Sequence, residues 1–220
     1  MCTIAAMREL APDLWQLDGF PPNGVNVYVI GDVLIDAGSP LDGGRVLRQL
    51  RGRALAAHAL THGHFDHYGS SAKVCRELSL PLWCGANDVG AVEAGKQVGL
   101  GRRTISGFGA KPAPVARALR EGDEVAGFTV LDVPGHSPGH VAYWRESDRV
   151  LIAGDVMWGH NPFTFRPGIR EPYPLTSPDP ERNRISARRL AALRPELVAF
   201  GHGPPVRDPD AFAAAVAKLP

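Results

Sequence analysis

The sequence predicts an α/β fold of two similar halves, packed sheet on sheet with helices outside. Short β-rich runs alternate with stretches of helical periodicity from end to end. Two hairpins also repeat one pattern in the same order. VNVYVI, a Gly-Asp turn and VLIDAG come early, and HVAYW and RVLIAGD come late; both end with Asp next to Gly, at Asp36-Ala37-Gly38 and Gly154-Asp155. A third feature agrees with these two. Gly (25) and Pro (20) make up about a fifth of the 220 residues, yet apolar runs persist throughout, so the chain has many short elements and shaped loops rather than disorder.

Taken in order, Leu14 to Leu17, Val25 to Ile30 and Val33 to Asp36 are β-rich runs, broken by GFPPNG and by a Gly31-Asp32 hairpin turn. Leu41 to Arg51 sets Leu41, Val46, Leu47 and Leu50 at helical spacing, and Leu55 to Leu60 returns to buried strand. Tyr68 to Leu78 reads as helix, Pro81 to Cys84 as strand, and Asn87 to Gln97 as a further helix. Val98 to Pro114 is glycine-rich and weakly periodic and receives no assignment. GFTVLDVPGH is a strand running into a loop, and the second hairpin follows it. Asp179 to Leu193 reads as a helix with Ile185, Leu190 and Leu193 on one side. Leu197 to Phe200 is a strand, and an Ala-rich helix starts at Asp210.

Composition narrows the class. Apolar residues at 44% and charged residues at 21% describe an ordinary globular chain, which we read as a single domain over residues 1–220. A net charge of +1 provides no field to draw it onto nucleic acid or an anionic membrane. No apolar run approaches the roughly 18 residues of a membrane helix. Arg8, Glu9 and Asp13 stand where a signal peptide would be apolar. Three cysteines (Cys2, Cys75, Cys84) with no CxxC suit a reducing compartment. The expectation is a cytoplasmic protein with a small-molecule substrate; the oligomeric state is not readable.

The chemistry gathers in Thr61-His62-Gly63-His64-Phe65-Asp66-His67. Strand geometry would point His62, His64 and Asp66 the same way from an extended segment, with His67 joining only if the chain turns at Tyr68-Gly69-Ser70. The cluster lies at the carboxyl end of a strand, where α/β sheets place ligand sites. A lone histidine such as His58, inside AAHAL, reads as a core side chain. Four ligand-type side chains in six residues do not, because burying them together without a metal leaves polar groups unpaired. Imidazole plus carboxylate is the donor set of catalytic zinc or non-haem iron. His136 in PGHSPGH, Asp155 after LIAG and His202 in GHGP follow the same grammar: buried strand, then a ligand-type residue beside glycine.

Together these motifs resemble the metallo-β-lactamase fold superfamily, whose signature is HxHxDH followed by His, Asp and His. The likeness runs from VNVYVI and LIDAGS through THGHFDH, PGHSPGH, GD and GHGP. It implies a four-layer αββα sandwich. It also implies His62, His64 and His136 as ligands of a first metal, Asp66, His67 and His202 as ligands of a second, and Asp155 bridging both. The motifs say little about substrate, since glyoxalase II enzymes and lactonases share them. This chain has Asp155 where the commonest metallo-β-lactamases have Cys. It has Met157 and Trp158 where quorum-signal lactonases place a Tyr, and only 18 residues after His202, where glyoxalase II adds a helical domain.

The implied reaction is hydrolysis of a small ester, thioester or lactone by a hydroxide shared between two Zn2+ ions, with Asp66 moving its proton. The alternative is a mononuclear iron oxygenase resembling persulfide dioxygenases, holding one Fe2+ mainly through His62, His136 and Asp155. A cysteine nucleophile is not favoured: Cys75 and Cys84 read as small buried apolar residues. Asp36 and Thr61 either orient ligand histidines or, for Asp36, cap a turn. His140 reads as a buried hydrogen-bonding residue. Lys96, Arg102, Arg103, Lys111, Arg117 and Arg120 form either a cap for an anionic substrate or a solvated face. Trp158, His160, Phe163, Phe165 or Arg166 is expected to line the pocket.

Overall fold

The fold is known from a computed structural model, which describes residues 7–98 and 104–220. Its elements run β1 (Arg8–Ala11), β2 (Leu14–Gln16), β3 (Tyr28–Ile30), β4 (Val33–Ile35), α1 (Gly43–Gln49), β5 (Ala57–Ala59), α2 (Phe65–Tyr68), α3 (Ser71–Leu78), β6 (Leu82–Gly85), α4 (Val89–Glu93), β7 (Lys96–Val98) and β8 (Thr104–Ser106). The second part holds β9 (Val115–Leu119), β10 (Glu124–Val125), β11 (Phe128–Asp132), β12 (Val141–Arg145), β13 (Val150–Gly154), β14 (Trp158–His160), β15 (Pro167–Arg170), α5 (Pro180–Ala192), β16 (Leu197–Phe200) and α6 (Pro209–Ala217).

Alternation along the strands builds the layers. Seven strands pair in the order β1-β2-β3-β4-β5-β6-β9, and five pair as β10-β11-β12-β13-β16. Tyr28, Ile30 and Ile35 from the first sheet meet Phe128, Val141, Tyr143 and Ile152 from the second in one shared core. The residues between them face the other way. Val29 and Leu34 pack against Val46 of α1 and Val74 of α3, while Ala142, Trp144 and Leu151 pack against Ala187 and Leu190 of α5 and Phe212 of α6. Period-two alternation with both faces apolar therefore yields helix, sheet, sheet, helix. Burying each large side chain contributes roughly 1.5–3 kcal/mol.

The duplicated hairpins are real in topology. β3 and β4 pair antiparallel and β4 pairs parallel with β5; β12 and β13 pair antiparallel and β13 pairs parallel with β16. In each half, then, the strand ending in the aspartate pairs with a parallel strand whose carboxyl end leads to histidine. Helix α5 starts at Asp179, whose carboxylate accepts the Arg182 amide, with Pro180 in the first turn.

Several expectations need correction. Ile185 is 64% exposed, so the buried side of α5 is Asn183, Ser186, Ala187 and Leu190. The predicted Asn87–Gln97 helix stops at Glu93, since Gly95 takes φ +65 and Gln97 lies in strand β7. The segment after Asp155, to which the sequence reading gave no element, holds the β14–β15 hairpin. Among the described residues, no helix is long and apolar enough to cross a membrane.

Candidate metal centre

After β5 the chain stays extended through His64 (φ −90, ψ 148) and then winds into α2. His62 and His64 thus project from an extended segment, whereas Asp66 and His67 sit in the first turn of a helix. The expectation that Asp66 shares the direction of His62 and His64 is wrong, because helical winding starts one residue before it. His136 comes from the β11–β12 connection, Asp155 directly follows β13, and His202 lies just past β16. All seven residues converge at the carboxyl ends of the strands.

They form overlapping groups of three, one of which, His62, His67 and Asp155, joins the other two. His62, His64 and His136 offer ligand atoms within 4.8 Å of one another, as do Asp66, His67 and His202. His64 Nδ1 is 3.0 Å from His136 Nε2, and His67 Nε2 is 3.2 Å from His202 Nε2. Asp66 Oδ2 lies 3.2 Å from His202 Nε2. Asp155 Oδ2 approaches both groups, at 3.3 Å from His136 Nε2, 3.2 Å from His202 Nε2 and 3.6 Å from His67 Nε2. Gly201 makes this approach possible: a Cβ there would lie 2.0 Å from Asp155 Oδ1.

Hydrogen bonds on the far side of the rings set which nitrogen is bare. Asp36 Oδ1 accepts the Thr61 amide, and Oδ2 accepts the Thr61 hydroxyl, both at 2.8 Å. The hydroxyl's only proton is thereby used, so at 3.0 Å it accepts from His62 Nδ1. His62 Nε2 is then a bare lone pair, buried and without a hydrogen-bond partner. Asp36 Oδ2 also holds His67 Nδ1 at 2.9 Å, and His202 Nδ1 donates to the Gly24 carbonyl. His136 Nδ1 contacts the Ser177 hydroxyl at 3.0 Å. Both Asp36 and Thr61 therefore orient site histidines, and Asp36 does so with φ +61.

The donor set fits divalent metal. Ligand atoms around a tetrahedral ion with bonds of about 2.0–2.1 Å stand about 3.3 Å apart, close to the spacings found here. The buried Nε2 of His62, which has no hydrogen-bond partner, is a lone pair that a cation would satisfy. Electrostatics divides the site. Burial, then neighbouring histidines, pushes His64 down to about 3 and His62 well below its ordinary value. Burial works the same way on His202 and His67, but the Asp155 and Asp66 carboxylates outweigh it, raising His202 to about 10 and His67 well above normal. Asp155 is held well below the carboxylate range: burial opposes this, and His202 and His67 overcome it.

Around the centre, Trp158 is buried, with its ring 5.3 Å from that of His202 and 6.5 Å from that of His136. Tyr173, not foreseen from sequence, packs on Trp158 at 5.9 Å. His160 stands 6.4 Å from His202 and stacks on Phe165. Phe163 and Phe165 are exposed, and Arg166 lines a separate hollow of about 460 Å3. His140 accepts the Asp155 amide through Nε2, as a buried hydrogen-bonding residue would. His58 is likewise buried, bonded to Leu34 and Ser71. Cys84 is buried and Cys75 partly so. Of the basic segment, Arg117 pairs with Asp123 at 3.0 Å, and Lys111 joins Lys73 and Arg76 along a groove of about 770 Å3 that includes none of the seven residues. Arg102 and Arg103 lie outside the described residues.

Known proteins share these features. The family model for the metallo-beta-lactamase superfamily matches residues 20–202. The probable metallo-hydrolase YflN of Bacillus subtilis is 30% identical over 79% of this chain and 76% of its own length. The hydroxyacylglutathione hydrolase of Bdellovibrio bacteriovorus is 33% identical over 54% of this chain, which spans only 42% of that protein. Among solved structures, the di-iron-bound form of TTHA1623 superposes with a TM-score of 0.64 at 30% identity, covering 96% of this chain and 98% of that one. The subclass B3 metallo-beta-lactamase BJP-1 of Bradyrhizobium japonicum reaches a TM-score of 0.74 at 21% identity, covering 99% of this chain and 93% of its own, a likeness of fold.

Proposed function

Because this chain belongs to the metallo-β-lactamase superfamily as a metal-dependent hydrolase, we propose that it uses two zinc ions to hydrolyse a small ester, thioester or lactone. Its 220 residues act as one cytoplasmic catalytic domain. His62, His64 and His136 would hold the first ion and Asp66, His67 and His202 the second, with Asp155 placed to serve both. The observation that carries this reading is the approach of Asp155 Oδ2 to His136 on one side and to His202 and His67 on the other. A single ion would engage only one of the two sets that Asp155 Oδ2 reaches.

When bound, the two ions supply an acidified water and polarise the carbonyl under attack. The chain's residues do the rest. Asp36 and Thr61 hold His62 and His67 with Nε2 turned toward the centre, so no ring must turn over before binding. Asp66 is half-buried and ionised at neutral pH: burial opposes ionisation, and His67 and His202 overcome it. Its carboxylate, through the oxygen not turned to His202, would accept the proton of the attacking water and return it to the leaving oxygen or sulfur. Trp158 and Tyr173 wall the centre with apolar surface that excludes bulk water.

A thioester is supported by the hydroxyacylglutathione hydrolases among the relatives, although this chain spans only 42% and 41% of two of them and 66% of a third. Cytoplasmic residence is supported by the free thiols of Cys75 and Cys84. The test is metal analysis of protein purified without added metal, with initial rates on ester, thioester and lactone panels. About two zinc per chain with hydrolysis is expected. One iron per chain with oxygen consumption would replace this reading by the mononuclear oxygenase. Iron itself is not foreign to the fold, as the di-iron form of TTHA1623 shows for that protein.

A further inference from the structure

Asp88 stands outside the candidate ligand set, between β6 and α4, and is buried to 1% exposure. Three neutral donors hold its carboxylate. Oδ2 accepts the Gly63 amide at 2.8 Å and the Ser137 hydroxyl at 2.5 Å, and Oδ1 accepts the Gly139 amide at 2.8 Å. Each donor has a meaningful address. Gly63 separates His62 from His64, and Ser137 follows His136 in the loop that Gly139 closes. One carboxylate thus ties together the two loops that carry His62, His64 and His136, and these loops belong to different halves of the fold.

The surrounding backbone is shaped to allow this. A Cβ on Gly139 would lie 2.4 Å from the Asp88 amide nitrogen, and one on Gly85 would lie 1.9 Å from the Gly139 carbonyl oxygen. The side-chain bonds of Asp88 reach none of Asp66, His67 or His202. Nor can an amide replace the carboxylate freely. With nitrogen in place of Oδ1 it would confront the Gly139 N–H, and in place of Oδ2 the Gly63 N–H, so either orientation leaves a buried donor unpaired.

We propose that Asp88 is a positioning residue for the first metal site: it sets the distance between His64 and His136 across the seam, and through it the affinity of that site alone. This rests on the metal-centre reading above. Second-layer groups that orient ligands typically change metal affinity about 10–100-fold.

The test titrates metal-free protein with zinc against a chromophoric chelator, for wild type, Asp88→Asn and Ser137→Ala, with thermal unfolding of each metal-free protein alongside. A parallel set in a His202→Ala background retains His62, His64 and His136 and isolates the first site. Asp88→Asn should weaken zinc binding about 10–100-fold in that background, and Ser137→Ala about threefold or more, while both still unfold cooperatively. Unchanged affinity in folded Asp88→Asn overturns the proposal, as does equal weakening of both sites in the otherwise wild-type chain. If Asp88→Asn does not fold, Ser137→Ala decides, and unchanged affinity there also overturns it. A wild-type protein that binds no zinc overturns this proposal and the metal-centre reading together; a failure confined to the variants overturns this one only.

Discussion

Replacing His58 by glutamine should alter the response of the fold to acid without touching the candidate metal residues. The ring is fully buried in β5, with Nδ1 3.2 Å from the Leu34 carbonyl and Nε2 2.8 Å from the Ser71 hydroxyl. A carbonyl can only accept, so Nδ1 carries the proton and Nε2 accepts from Ser71. Burial pushes the ring down to about 4 from its ordinary 6.5, with the Leu34 carbonyl and Asp36 opposing. Between those values the unfolded chain binds the extra proton and the folded chain does not. Stability therefore rises with pH across this window and is lost as pH falls through it. Linkage sets the loss from this one group at about 2 kcal/mol between about pH 7.5 and about pH 5. The amide introduced by His58→Gln does not titrate. Near pH 7.5 the variant should be about 1–2 kcal/mol less stable, because its amide replaces two fitted hydrogen bonds imperfectly. By about pH 5 that gap should close or reverse. Urea unfolding of both metal-free proteins at the two pH values measures it. A gap unchanged to within about 0.5 kcal/mol would refute the argument that the ring is held neutral by burial.

Asp155→Asn removes a negative ligand from both proposed ions, so metal analysis should show loss of at least one and kcat should fall by several orders of magnitude. Asp66→Asn should instead empty chiefly the second site, leaving one metal on His62, His64 and His136; if it leaves stoichiometry at an unchanged single metal, the two-ion reading is lost. Asp36→Asn cannot satisfy both the Thr61 amide and His67 Nδ1, and zinc affinity should drop about 10–100-fold in a competition titration, with wild-type affinity counting against an orienting role for Asp36. Stripping metal with a chelator should leave the far-UV circular dichroism and cooperative unfolding intact, because the inter-sheet core contains none of the seven candidate ligands. Returning zinc should then raise Tm by mass action, and collapse on stripping would show that the ions carry the fold.

Much of this was legible because the informative residues are local. Four ligand-type residues within Thr61–His67 and three more beside glycines at strand ends announce a centre before any contact is known. The sheet-on-sheet packing was readable from the repeated hairpins, but not which residues face the inter-sheet core, since Tyr28, Val29 and Ile30 are apolar alike. The grouping of Asp66 came from the family resemblance alone, because the strand pattern set it with His62 and His64. It depends on helical winding starting at Phe65, three residues before the helix expected from Tyr68. Strands β7, β8, β14 and β15 are three or four residues long, too short for period two to stand out against noise. Asp88 was invisible for another reason: its partners lie 25 to 51 positions away, and its own neighbourhood reads only as a helix start.

The two halves of the chain meet at the centre in a way that joins folding to chemistry. On the side of His202, Asn26 donates to the carbonyls of Phe200 and Gly203, and the Tyr28 hydroxyl donates to Phe200. On the side of His136, Asp88 performs the equivalent link with two bonds, from Ser137 and Gly139, while its third accepts from Gly63 in its own half. Each proposed ion would therefore sit beside its own polar cross-link between halves, while Asp155 Oδ2 stands between the two groups. A site assembled from two halves needs this arrangement, because the sheet-on-sheet core is apolar and non-directional and would tolerate small sliding of one half on the other. Directional bonds to backbone groups do not tolerate it. Sliding of even about an ångström would spoil the spacing of facing lone pairs, and rate along with it. Holding the halves in register is thus work for the residues around the centre rather than for the core beneath it.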